Sequence, residues 1–136
     1  MKIWIICSKA FYGQIAPIKE TLEKAGHEIT LPNSYYRPSL ESESWADGPD
    51  AHVRFKQLMF ELSRNISKKV DAALVLNYEK HGIPNYIGGS TFLEIYDAFC
   101  ENKKIFLMND IPEGILFDEI QGMNPFVIHG DLSLIK

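Results

Sequence analysis

The chain has 136 residues, which fits one domain and leaves no room for a second domain with its own core. Hydrophobic residues make up 46% of it and charged residues 24%, a globular composition that excludes collagen, coiled coil and disorder. The formal net charge of -4 argues against a nucleic-acid polymer as partner. We therefore expect a single domain over residues 1–136 that binds a small polar molecule.

Cysteine usage and hydropathy indicate the compartment. Cys7 and Cys100 lie in apolar segments, where a free thiol acts as a small buried hydrophobe rather than half of a disulfide. No uninterrupted apolar run reaches the roughly 18 residues of a membrane span, and the apolar stretch Ile3–Cys7 is too short for a secretory signal. We expect a soluble, cytoplasmic protein without membrane contacts. His81 and His129 lack partners at metal-ligand spacing, so no metal is expected.

Strand and helix patterns alternate along the chain. A near-continuous apolar run at residues 2–8 predicts a strand covered on both faces, at the centre of a sheet. Further strands are predicted at 27–31, 72–76, 104–108 and 126–129. Helices are predicted between them, at about 15–25, 50–68, 92–99 and, weakly, 115–122. This alternation predicts an α/β domain with a parallel sheet of about five strands and helices on both faces.

Apolar stripes mark the two longest of these helices: Phe55, Leu58, Met59, Leu62 and Ile66 in one, and Phe92, Ile95, Tyr96 and Phe99 in the other. Basic residues spread along the first of them are interpreted as a solvated face: Arg54, Lys56, Arg64, Lys68 and Lys69. Asp50 is predicted to cap its start.

Ligands of parallel sheets bind beyond the carboxyl ends of the strands, near the point where the strand order reverses. The loops expected to meet there are 8–13, 77–90 and 109–114. The longest predicted loop, 32–49, contains Tyr35 and Trp45. It is interpreted as a lid over the pocket or as a surface that packs on a neighbouring subunit.

The segment Asn77–Glu94 (NYEKHGIPNYIGGSTFLE) runs from a loop directly into a helix. Gly88 and Gly89 allow a ligand to approach the backbone, and the free N–H groups of the first helical turn can hold an anionic or hydroxyl-rich group. Thr91 and Glu94 have the spacing of a capping box, in which Glu94 would only stabilise the helix start. Glu94 also lies opposite the apolar stripe, where the helix dipole would keep it ionised towards the cleft. Both roles stay open.

Four segments together carry a family likeness: ICS with the aromatic loop after the first strand, D-x-x-L-V-L-N, G-G-S-T-F-L-E and K-K-I-F-L-M-N. Over about residues 2–131 the chain resembles the nucleoside 2-deoxyribosyltransferase-like superfamily, which includes deoxynucleoside monophosphate N-glycosidases. The resemblance implies a flavodoxin-like or Rossmann-like fold and a homodimer or higher homo-oligomer with sites near subunit contacts. It also implies a glutamate nucleophile at the position matched by Glu94.

The implied reaction cleaves or transfers the N-glycosidic bond of a 2′-deoxynucleoside or its 5′-monophosphate, without a cofactor. The carboxylate of Glu94 attacks C1′, the base leaves, and a second base or water resolves the glycosyl-enzyme. Fold analogy assigns the remaining roles. The base side would be lined by Ser8, Phe11 and Tyr12, the sugar or phosphate side by Asn77, Gly88, Gly89 and Ser90, and Asn124 or the aromatic loop would come from a neighbouring subunit.

The chain also departs from the family pattern. Transferases of this kind often carry an aspartate about six residues before the nucleophile, where this chain has Gly88. A nucleotide-sensing module that keeps the pocket without turnover therefore stays open, as does an NAD-type glycohydrolase, which also uses a glutamate on a related fold. Asp47, Asp50 and His52 are candidates for protonating the departing base.

Overall fold

The computed structural model describes all 136 residues and shows the predicted alternation of strands and helices. The five strands are β1 (Lys2–Ile6), β2 (Glu28–Thr30), β3 (Ala72–Val75), β4 (Lys104–Leu107) and β5 (Phe126–Val127). The five α-helices are α1 (Ile15–Lys24), α2 (Leu40–Ala46), α3 (Pro49–Lys69), α4 (Gly89–Cys100) and α5 (Phe117–Gly122). Short 3₁₀ helices span Lys9–Gln14, where a loop was predicted, and Leu132–Leu134.

The strands form one parallel sheet in the order β2-β1-β3-β4-β5. In the register of the sheet, Leu74 of β3 lies between Ile5 of β1 and Phe106 of β4. The middle strand is therefore β3, and β1 lies beside it rather than at the centre. The strand order reverses between β1 and β3, as in flavodoxin-like folds, and this opens a crevice at the carboxyl edge. The fold class predicted from the sequence is confirmed.

Helices cover both faces of the sheet, which explains the continuous apolar runs of β1 and β3. Because successive side chains of a strand point to opposite faces, Ile3 and Ile5 pack with α1 on one side. Trp4 and Ile6 pack with α3, α4 and α5 on the other side. Each large apolar side chain buried in this way contributes about 1.5–3 kcal/mol.

Residues 32–49 are not a loop throughout, because α2 forms within them and packs against α3. The indole of Trp45 stacks on the imidazole of His52 with ring centroids 3.7 Å apart. Asp50 is not the cap of α3. Gly48 holds that position with a φ of 107°, and Pro49 is the first helical residue, where its fixed φ is favourable.

The inward face of α3 differs from the predicted apolar stripe. Leu58 and Leu62 are exposed, whereas the buried residues are Ser63 and Ser67. In α4 the buried residues are Thr91, Ile95 and Ala98, and the predicted Tyr96 and Phe99 are exposed. Part of each predicted stripe does face inward, because Ile66 of α3 and Phe92 and Ile95 of α4 pack in the core. The rest was misplaced because α3 and α4 also contact each other through polar side chains, which leaves large apolar groups outside.

The two cysteines are free. Cys7 is buried at the end of β1, as expected, but Cys100 is exposed at the end of α4. No helix combines the length and the apolar character needed to cross a bilayer.

Candidate active site

A cavity of about 500 Å³ opens at the carboxyl edge of the sheet, a volume within the range of roughly 300–1,000 Å³ typical of small-molecule sites. Its walls come from the segment after β1, α3, the loop after β3 and the start of α4, together with Pro32, Asn33, Ser34 and Glu41. Several predicted site residues line it: Ser8, Tyr12, Gly88, Gly89, Ser90 and Glu94. The cavity therefore lies where the strand order predicts a ligand site.

Glu94 is half-buried and lines the cavity from the second turn of α4. Its Oε2 accepts a hydrogen bond from the Oγ of Ser63 at 3.1 Å. Its Oε1 accepts no hydrogen bond from the chain and stays in contact with solvent. The capping-box prediction is wrong: α4 begins at Gly89, two residues before Thr91, and no side chain caps it. Glu94 is thus free of a structural role at the helix start.

The surroundings of Glu94 disfavour its charge. Burial raises the pKa of Glu94 from its ordinary 4.5 to about 7, and nearby Asp97 raises it further. The hydrogen bond from Ser63 and the charge of Lys56 act in the opposite direction. Near neutral pH the acid and the carboxylate therefore coexist, contrary to the expectation that the helix dipole keeps Glu94 ionised. A carboxyl group with such a pKa is suited to nucleophilic or acid–base chemistry.

Two lysine–serine pairs face the same cavity. Lys56 Nζ donates to Ser90 Oγ at 2.7 Å, and Lys80 Nζ donates to Ser8 Oγ at 3.1 Å. The Lys80 ammonium also lies 4.7 Å from the centre of the Tyr86 ring. Lys56 belongs to the set predicted to be a solvated face, so that prediction is wrong for this residue. Together the pairs give the cavity two cationic groups and two hydroxyls.

The first turn of α4 adds backbone donors beside the Lys56–Ser90 pair. The first backbone hydrogen bond of the helix runs from the N–H of Phe92 to the carbonyl of Gly88. The N–H groups of Gly89, Ser90 and Thr91 consequently have no acceptor in the chain. With the helix dipole and the lysines, they favour an anionic group such as a phosphate.

Gly88 and Gly89 differ in the space around them. A Cβ on Gly88 would lie 3.1 Å from the hydroxyl oxygen of Tyr86, whereas a Cβ on Gly89 would meet open space. Tyr86 thus fills the volume that a side chain at position 88 would need. A side chain at position 88 would therefore require movement of Tyr86. Gly89 leaves the backbone open to a ligand.

Asn77 does not reach the cavity, although the sequence placed it on the sugar side. Its side chain is fully buried. Its Nδ2 donates to the carbonyls of Asn109 and Asp110, and its Oδ1 accepts from the N–H of Asn109. The amide therefore ties the loop after β3 to the loop after β4, and its burial keeps it out of reach of a ligand in the cavity.

Phe11 and Asn124 also lie away from the cavity. Phe11 is buried in the core and packs edge-on against Tyr78, with ring centroids 5.5 Å apart. Asn124 lies beside Lys104 and Phe126, at the amino ends of β4 and β5 and thus at the opposite edge of the sheet. His52, a candidate acid, stacks on Trp45 outside the cavity lining.

Sequence reasoning missed several polar residues of the cavity, among them Asn33, Lys56 and Ser63. One face of α3 lines the cavity with Lys56, Met59 and Ser63, and the first and last of these are seven residues apart. The signal was therefore present in the helical spacing. It was overlooked because the larger apolar residues on the outer side of α3 gave the stronger pattern.

The protein is thus an α/β protein with a cavity at the switch point of a flavodoxin-like sheet. Within that site a half-buried glutamate shares the cavity with two lysine–serine pairs. Comparison with known families and proteins gives no closer assignment. No protein-family profile matches the chain, and no curated protein sequence is detectably similar to it.

Proposed function

We propose that the protein cleaves or transfers the N-glycosidic bond of a 2′-deoxynucleoside 5′-monophosphate, with Glu94 as the nucleophile. The observation that carries this proposal is the state of Glu94, whose Oε2 is held by Ser63 while Oε1 is unbonded and open to solvent. A carboxylate suits this reaction because the transition state is cationic at the sugar. The likeness of the G-G-S-T-F-L-E segment to deoxyribosyltransferases supports the same role.

The reaction has two steps. In the first, Oε1 of ionised Glu94 forms a bond to C1′ while the C1′–N bond breaks, and the electron pair of that bond leaves with the base, which takes up a proton from the solvent. In the second, water or another base attacks C1′ and loses a proton to the solvent, the bond to Glu94 breaks, and the carboxylate is restored. Water yields the free sugar phosphate, and a second base yields a new nucleotide.

A phosphate explains the rest of the cavity better than an unmodified nucleoside does. Lys56 and Lys80 bring positive charge, Ser8 and Ser90 bring hydroxyls, and the first turn of α4 offers free N–H groups. Donors of these three kinds match the oxygens of a monophosphate. A neutral 2′-deoxynucleoside would leave both ammonium groups without an anionic partner.

Replacing Lys56 or Lys80 with alanine is expected to weaken binding of the monophosphate substrate more than binding of the nucleoside. Loss of one charge-assisted contact to phosphate should raise its KM by about 10–100-fold, with a much smaller effect on the matching nucleoside. Steady-state kinetics on both substrates at two salt concentrations check this, because the contact is screened by salt. Lys69→Ala, at the exposed end of α3, is the matched control. Equal losses on nucleoside and monophosphate would contradict the phosphate assignment.

The function itself is tested by incubating the protein with each 2′-deoxynucleoside, each 5′-monophosphate and NAD, followed by chromatography of the bases. Release of a purine or pyrimidine base from a monophosphate, at a rate proportional to protein concentration, is the expected result. Binding without base release at high protein concentration would instead show a nucleotide-sensing module. Release of nicotinamide alone would show an NAD-type glycohydrolase.

We also propose a homodimer or higher homo-oligomer. Large apolar side chains are exposed on the outer faces of α3 and α4: Leu58, Leu62, Leu93, Tyr96 and Phe99. The rings of Tyr96 and Phe99 stack with centroids 6.5 Å apart, which widens the apolar surface. Adjacent apolar groups of this size favour a protein contact over exposure to water.

Light scattering is expected to give a mass of at least two chains, and Tyr96→Glu is expected to shift the protein to monomers by placing a charge in the contact. Ile115→Glu changes an exposed apolar residue outside α3 and α4 and serves as the control. A monomeric wild-type protein at micromolar concentration would contradict the oligomer.

A further inference from the structure

Ser63 is an unusual residue for the inward face of a helix, where an apolar side chain is common. It is only 5% exposed and lies in the middle of α3, opposite Glu94 of α4. Its Oγ is 3.1 Å from Oε2 of Glu94 and 3.0 Å from Nδ2 of Asn33. The three side chains form a chain of hydrogen bonds that starts in the segment after β2 and ends at the cavity.

The direction of these hydrogen bonds follows from the chemistry of the groups. The Nδ2 group of Asn33 can only donate, so it occupies an acceptor position on the Ser63 oxygen. The single hydroxyl hydrogen of Ser63 is then free to point at Glu94. A carboxylate accepts this hydrogen, and a protonated carboxyl oxygen accepts it less well. These two hydrogen bonds thus favour the charged form of Glu94 and one orientation of its carboxyl group.

We infer that Ser63, oriented by Asn33, is a positioning residue that holds Oε2 of Glu94 and leaves Oε1 as the attacking oxygen. The inference rests on the proposed function, because it assigns a role within that reaction. Fixing one oxygen removes rotation about the terminal bond of the side chain, so that the other oxygen meets C1′ in one geometry. Ser63 and Asn33 themselves do not touch the reacting atoms.

The effect of this hydrogen bond on the pKa of Glu94 can be measured. Burial raises the pKa of Glu94, and the bond from Ser63 is the largest influence that lowers it. The charged groups that act on Glu94 are Lys56 from α3 and Asp97 from α4. Cys7, directly after β1, and Tyr12 from the 3₁₀ helix also face it, but their own pKa values are raised and both stay neutral near pH 7. Other charged groups line the cavity walls: Lys9, Glu41 and Lys80.

Ser63→Ala is the direct test, with Ser67→Ala as its matched control. Ser67 is buried in the same helix one turn later, but its hydroxyl donates to the carbonyl of Arg64 and does not contact Glu94. Carbon-13 NMR of the carboxyl group, assigned by comparison with Glu94→Gln, reports the titration of Glu94. In Ser63→Ala the midpoint is expected to move up by about 1 pH unit, while Ser67→Ala leaves it in place.

Asn33→Ala provides a second variant that does not disturb the inside of α3. It frees the Ser63 hydroxyl to rotate, and a smaller upward movement of the same midpoint is expected. The acid limb of the pH profile of kcat/KM should move with the NMR midpoint in both variants, because only the carboxylate attacks. Ser63→Ala and Asn33→Ala midpoints equal to that of Ser67→Ala would overturn the inference.

The two proposals fail separately. Base release that depends on Glu94, combined with an unchanged titration and pH profile in Ser63→Ala, would overturn the role of Ser63 and leave the function standing. A moved titration midpoint in a protein that releases no base would retain the hydrogen bond but remove the reaction, and with it the positioning role.

Discussion

Replacement of Glu94 by glutamine is expected to abolish base release while the protein stays folded. The amide has the same shape as the carboxyl group and can still accept the hydrogen bond from Ser63, so packing in the cavity is preserved. It cannot attack C1′, because its oxygen carries no charge. Removal of a covalent nucleophile typically lowers kcat by about 10⁴-fold or more. Base release at saturating monophosphate, with circular dichroism as a check of folding, measures the effect.

Glu61→Gln is the matched control for this experiment. Glu61 lies on the exposed side of α3 and does not line the cavity, so its substitution should leave kcat unchanged. If folded Glu94→Gln protein retained a rate within tenfold of wild type, Glu94 would not be the nucleophile. The carboxyl group would then have to act through binding or proton transfer alone.

Glu94→Gln is also expected to stabilise the protein at alkaline pH. The pKa of Glu94 is about 7 in the folded protein and near 4.5 in an ordinary environment, so the folded state binds the proton more tightly. The contribution of Glu94 to the unfolding free energy of the wild-type protein is therefore complete below about pH 4.5 and is lost as the pH rises through about 7. Glutamine is neutral throughout and avoids this loss. At pH 8 the gain in unfolding free energy should reach up to about 3 kcal/mol.

Urea unfolding of wild type and Glu94→Gln at pH 4, 6 and 8 measures the difference between the two proteins. Taking the difference removes the contributions of the other titrating groups. The gain should be near zero at pH 4 and largest at pH 8, whereas Glu61→Gln should show no such trend. A difference that does not depend on pH would mean that the folded protein does not disfavour ionised Glu94. The expected trend is that of a folded protein in which the ionised form of Glu94 costs stability.

The fold was predictable because its strongest signals are local. The runs at β1, β3 and β4 are continuously apolar, which only a sheet covered on both faces accommodates. Their alternation with helices leaves a parallel sheet as the natural arrangement. The position of β1 beside the middle strand was not predictable, because strand order depends on which crossovers pack best, and no residue of the strand itself encodes that choice.

The site was predictable where the chain enters α4 and not along α3. The two glycines at the start of α4 indicated Ser90 and Glu94 correctly as neighbours of the cavity, since a helix that begins at the carboxyl edge of the sheet places its first turns beside the crevice. Lys56 and Ser63 were not predicted as site residues because an amphipathic pattern places polar residues on the solvent-exposed face of a helix. In α3 the inward face is polar where it lines the cavity.

Asn77 shows the opposite error. A polar residue directly after a buried strand indicated a ligand contact, but its side chain is fully buried and both of its amide hydrogens and its oxygen bond the backbone of the neighbouring loop. A single buried amide can stabilise a loop junction as readily as it can bind a sugar. Only the positions of Asn109 and Asp110 distinguish the two roles, and these depend on the register of β3 and β4.

The most direct test of the central claim is mass spectrometry of the protein trapped during turnover. A 2′-fluoro analogue of the monophosphate substrate slows both steps, because fluorine destabilises the cationic transition state, and acid quenching preserves an ester formed on the enzyme. We predict a mass increase of one sugar phosphate on wild-type protein, located on the peptide that contains Glu94 and absent from Glu94→Gln. A protein that releases base but never carries the sugar, or carries it on another residue, would contradict the account.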